Sequence, residues 1–191
     1  MTTILNLPLQ QANPEIIKDL QEKFPNANLR IEVNKKTAPN VLTEERFWEI
    51  IGLFDWTDDE DNERVLAPAI AALTESPVHH IYLFEDILAA KLFSLDAQVF
   101  AENIGEDAYT PDKYFSVDNF LYARCCVVAN GKKTYEAVLK DPVLMPKDLT
   151  FESLLYLASD AYFKKTGKEF EYFSIIPIET YSNKAGWAES V

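Results

Sequence analysis

The sequence predicts an α+β protein that is predominantly α, with an antiparallel helical core and a small sheet. Three observations carry this. Most of the chain from Thr43 onward repeats its apolar residues at helical spacing; a short N-terminal stretch reads as a βα(β) unit; and the run Phe170–Ile178 is a candidate for a further strand. The 191 residues suffice for one sizeable core with a small appendage, and we place the division at 1–35 and 41–191.

In the N-terminal unit, Ile4–Leu7 is a strand candidate. Asn13 caps a helix with Pro14 in its first position and Ile16, Ile17, Leu20 and Phe24 on one face, and Leu29–Val33 alternates as a second strand. Two strands rarely persist alone, so Phe170–Ile178 is expected to join them, with Pro177 placing it at an edge or ending it. Asn34–Asn40 reads as a linker.

Thr43 caps the first helix of the larger region, with Glu44 and Glu45 in its first turn and Phe47, Ile50, Ile51 and Phe54 on its stripe. The acidic run from Asp55 to Glu63 fails as a calcium loop: counted from Asp59, Arg64 stands where glycine is required and Ile70 where the closing glutamate belongs. A helix from about Asn62 to Glu75 follows, containing Pro68. Ser76 and Pro77 are expected to open a long helix with Ile81, Phe84, Leu88, Leu92 and Leu95 along one face and Glu85 beside it. Asp96 reads as the cap of a short helix, and Gly105–Phe115 as an aromatic loop.

The segment Ser116–Gly131 is a helix that ends at Asn130-Gly131. Its apolar stripe holds an arginine: Phe120 and Val128 lie four positions from Arg124, and Leu121 and Val127 three. A guanidinium keeps its charge and is rarely buried without a partner, so an acid from elsewhere is expected beside it. Glu85 is the first candidate, with Asp96 and Asp118 as rivals. Lys132–Lys140 forms another helix, and Thr150 caps the last, which runs through Leu154, Leu157, Ala158, Ala161 and Tyr162 to Gly167.

This order of segments, above all Phe120-Leu-Tyr-Ala-Arg-Cys-Cys-Val-Val-Ala-Asn-Gly-Lys-Lys-Thr-Tyr-Glu-Ala-Val-Leu-Lys-Asp-Pro-Val-Leu-Met-Pro146, resembles the bacterial domain-of-unknown-function family numbered 4240 over about residues 41–187. The resemblance implies a fold and carries no activity.

Chemistry is sparse. The five isolated glycines exclude a phosphate-cradling loop, and His79 and His80 lack the spacing of a two-histidine metal face. Cys125 and Cys126 are adjacent and expected to be reduced, with no metal-ligand spacing and no disulfide framework. No metal, cofactor or catalytic group is therefore expected, and the reading leans away from an enzyme. A net charge of −13 and a pI near 4.6 argue against sequence-independent nucleic-acid binding. With no signal-like or membrane-length apolar run, a cytoplasmic location is expected.

The leading functional expectation is a non-catalytic protein-binding module, of inhibitor or immunity type, whose acidic surface covers a basic protein partner. The expected partner face is Tyr109, Tyr114, Phe115 and Trp187 together with Asp58, Asp59 and Asp61. The alternative is a small-ligand binder or enzyme with a polar pocket around Arg124 and Glu85. Pairing of the N-terminal strand with a second copy would give a homodimer rather than a monomer.

Overall fold

The computed structural model describes residues 14–25, 41–57 and 61–187. The chain divides into two units, residues 1–36 and 37–191. In the first, α1 spans Pro14–Lys23. The strands expected at Ile4–Leu7 and Leu29–Val33 lie outside the described residues.

The second unit is helical: α2 Glu44–Ile51, α3 Asn62–Glu75, α4 Val78–Ser94, α5 Gln98–Ala101, α6 Val117–Ala129, α7 Gly131–Lys140 and α8 Leu157–Thr166. Local chemistry explains several of the starts. Thr43 Oγ1 accepts the Arg46 N–H at 3.2 Å, Asp61 Oδ1 accepts that of Arg64 at 3.1 Å, and Ser116 Oγ accepts that of Asn119 at 3.2 Å, each satisfying a donor that the first turn leaves open. Gly131 has φ +87°, a backbone that glycine adopts without strain, and separates α6 from α7. Ser76 closes α3 rather than opening α4, because its side chain is turned back to Ala72 O at 3.1 Å. Thr150 likewise does not cap α8, which is entered through a tight 3-10 turn at Glu152–Tyr156.

The core runs from α2 to α8, with Phe47, Ile50, Leu73, Phe84, Leu92, Phe120, Val127, Leu154 and Leu157 fully enclosed. α8 lies along α3 and α4, and α6 contacts α4, α7 and the 3-10 turn before α8. From Phe120 to Ala129 only Tyr122 on α6 escapes burial, so this helix is apolar nearly all round and central.

Among the described residues there is no β-strand, and the expected C-terminal strand does not form. Residues 168–187 instead make a strap over the helices. Its side chains do alternate, with Phe170, Tyr172, Ser174, Ile176 and Ile178 half-buried and Glu171, Phe173, Ile175 and Glu179 exposed. That period of two comes from one side of the segment resting on helices. Phe170 and Tyr172 lie against Tyr82 of α4, at 5.9 and 4.7 Å between ring centres. The backbone also bends at Ile175–Ile176, where the Ile176 N–H donates to Ser174 Oγ at 3.2 Å, and Pro177 has no N–H for a ladder.

Candidate functional site

Arg124 and Asp96 are the two charged side chains with no exposure among the described residues. Both hold the strap. Arg124 Nη1 donates to Leu92 O at 3.0 Å, in the last turn of α4, where this carbonyl also accepts the Leu95 N–H at 3.2 Å and the dipole favours a cation. Its Nη2 donates to Ile178 O at 3.0 Å and to Thr180 Oγ1 at 3.1 Å, and the Thr180 hydroxyl donates onward to Val117 O at 2.8 Å. The guanidinium carbon stands 4.9 Å from the centre of the Phe120 ring, while Nε has no acceptor.

Asp96 follows α4 and receives three donors from the strap: Tyr181 N–H at 3.1 Å, Asn183 N–H at 2.9 Å and Trp187 Nε1–H at 2.9 Å. It therefore does not cap α5. Gly186 makes this approach feasible, since a Cβ there would stand 2.6 Å from Asp96 O and from Ala97 Cβ. Arg124 and Asp96 form no ion pair. Burial pushes the Arg124 pKa below its ordinary value, and the field of Asp96 opposes that shift.

The expected Arg124–Glu85 pairing is not formed. Glu85 is half-buried on α4 without a hydrogen-bond donor, and burial first, with Asp86 second, pushes its carboxyl up to about 7. Asp118 is exposed in the first turn of α6. The structure thus brings Asp96 into the electrostatic surroundings of Arg124 and leaves Glu85 and Asp118 elsewhere.

The loop aromatics mostly fold inward. Tyr109, Phe115 and Trp187 pack on one another, Trp187 meets Phe120 at 5.9 Å and Tyr181 at 4.4 Å, and the group closes one end of the core. Tyr114 stands apart, 93% exposed. Asp61 serves as the α3 cap, and Asp58 and Asp59 lie outside the described residues.

The two cavities of note lie away from Arg124 and Glu85. One, about 210 Å³, is lined by Asp107, Asn119 and Asp148 among others. The other is an open cleft of about 670 Å³ between α4, α8 and the strap, lined by Tyr82, Tyr162, Lys168, Glu169, Glu171 and Tyr172. Sequence reasoning missed this cleft. Its one legible trace was the aromatic run read as a strand, in which Phe170 and Tyr172 stand two positions apart; nothing in the sequence ties them to Tyr82 or Tyr162.

Neither cysteine is activated as a nucleophile: Cys125 and Cys126 are free and buried, and burial pushes both thiols up. Among the described residues, no three His, Cys, Asp or Glu side chains gather to hold a metal ion, and no helix is long and apolar enough to cross a membrane. No curated protein and no solved structure matches the chain. Residues 42–164 match the family model described as Protein of unknown function (DUF4240), ending before the strap; the chain belongs to that family.

Proposed function

We propose that this chain is a non-catalytic protein-binding module that takes a basic partner on an acidic face, in the manner of an inhibitor or immunity protein. The observation that carries this reading is the outer side of the strap. Phe173 and Ile175 are 87% and 95% exposed, two positions apart, on a segment tied down at its far end by Arg124 and Asp96. Covering each would gain about 1.5–3 kcal/mol that the isolated chain forgoes. Glu169, Glu171 and Glu179 are exposed on the same segment, so the apolar pair is framed by negative charge in a chain that is already acidic.

The alternative, a ligand pocket or enzyme site built on Arg124 and Glu85, is weaker. The terminal guanidinium donors are committed to Leu92, Ile178 and Thr180, and neither cavity above is lined by either residue.

The test is affinity capture from source cells with the wild-type chain and two variants, Phe173→Ser/Ile175→Ser and Glu169→Lys/Glu171→Lys/Glu179→Lys. A basic protein held by the wild type and lost from both variants is the expected result. Identical captured sets from all three would overturn the reading.

A further inference from the structure

We propose that the cleft between α4, α8 and the strap is a receptor for an organic cation, the ammonium or guanidinium of a lysine or arginine side chain; that a partner protein supplies it rests on the partner reading above. The cleft floor is aromatic and comes from three separate segments. Tyr82 of α4 stacks on Tyr172 of the strap at 4.7 Å, and Tyr162 of α8 lies 5.9 Å from Tyr82 and 5.3 Å from Phe170. Ring faces attract cations, by about 0.5–1 kcal/mol when exposed and about 2 when water is excluded.

The carboxylates around these rings have no counter-ion among the described residues. Tyr172 donates its hydroxyl to Asp86 Oδ2 at 2.8 Å, which pushes electron density into the ring and strengthens its attraction for a cation. Asp86 Oδ1 is buried and accepts nothing. Glu169 and Glu171 stand at the rim, exposed. Among the described residues none of these three acids forms an ion pair, whereas elsewhere acids of this chain do: Glu49 with Arg46 at 2.8 Å and Glu136 with Lys132 at 3.8 Å.

Lys168 also lines the cleft and enters no ion pair there. It is the one resident cation of the lining and therefore a competitor for the same rings.

The opening is wide rather than enclosed, which suits a side chain delivered on a protein surface more than a free small molecule. It also adjoins Phe173 and Ile175 in sequence, so a partner covering those residues would bring its own side chains to the rim.

The experiment titrates the full chain with acetyl-Gly-Lys-Gly-amide, acetyl-Gly-Arg-Gly-amide and the neutral isostere acetyl-Gly-norleucine-Gly-amide at fixed ionic strength. The readout is the NMR ring-proton shifts of Tyr82, Tyr162 and Tyr172. The expected result is saturable shifts for the two cationic peptides, with dissociation constants on the order of 10 mM, and none for norleucine. Tyr82→Leu should weaken binding about tenfold. Because that variant touches packing, the surface pair Glu169→Gln/Glu171→Gln provides a second measure and should weaken binding severalfold, while Lys168→Ala tightens it. Equal shifts from norleucine, or no saturation by either cation at the three tyrosines, overturns the inference even if a basic protein is still captured through Phe173 and Ile175. Saturable cation binding with capture that ignores the strap variants upholds the cleft and refutes the partner reading alone.

Discussion

Replacing Glu85 with glutamine should stabilise the protein by an amount that grows as pH rises above 4.5 and levels off above about 7. The Glu85 carboxyl is half-buried on α4 with Asp86 beside it and no donor to hold its charge, so its folded pKa rises from 4.5 to about 7. Between those two values the folded state keeps a proton that the unfolded chain has released, and stability therefore falls as pH rises across that window. Above pH 7 the carboxylate is ionised in both states and the penalty is complete; below 4.5 it vanishes. The interval corresponds to a ceiling of roughly 3 kcal/mol, at about 1.36 kcal/mol per pH unit. Partial exposure lets water screen the charge, so a gain of about 1–2 kcal/mol is expected for Glu85→Gln at pH 8. Urea unfolding of both proteins at pH 4.5, 6 and 8 measures it, and the corresponding rise in Tm at pH 8 is roughly 3–6 °C. A gain of the same size at all three pH values would show that the effect does not come from the Glu85 charge, and a loss at pH 8 would show that a donor holds the carboxylate; either refutes the argument.

Three further outcomes follow from the same geometry. Arg124→Met removes the donors to Leu92, Ile178 and Thr180 while Asp96 keeps its own three, at a cost of about 1–3 kcal/mol; a loss below about 0.5 kcal/mol in urea unfolding would refute the clasp. Gly186→Ala places a methyl 2.6 Å from Asp96 O, backbone that cannot swing aside, and should cost about 1–3 kcal/mol with a red shift of Trp187 emission as the ring loses its seat on Phe120. Cys125 and Cys126 should resist a thiol reagent at pH 8 in the native protein and both react once urea unfolds it; fast native labelling would contradict their burial.

The helices were legible because they advertise themselves locally. Thr43 and Ser116 cap as their positions suggest, and the stripe Ile81, Phe84, Leu88, Leu92 is buried as its spacing requires. The oddity of Arg124 was equally plain, since a charge in a row of core residues demands partners wherever it sits. The identity of those partners was not. An acid was sought, and main-chain carbonyls of Leu92 and Ile178 answer instead, groups that every residue carries and that leave no mark in a sequence. Asp96 looked like a helix cap because an aspartate before a short helix usually is one; here it accepts from residues 85 to 91 positions downstream. The strap misled for a related reason. A run rich in aromatic and β-branched residues marks a half-covered extended segment, and is silent on whether a strand or a row of helices covers it.

The clasp also orders events in time. Arg124 and Asp96 are made before the residues that satisfy them, so during synthesis the helices through α6 can gather their apolar faces while both charges still need water. The region around α4 and α6 cannot close until Ile178 and Thr180 arrive. A chain released with that segment damaged would keep a wet, unsealed centre, and that is the kind of surface that quality-control proteases and chaperones recognise.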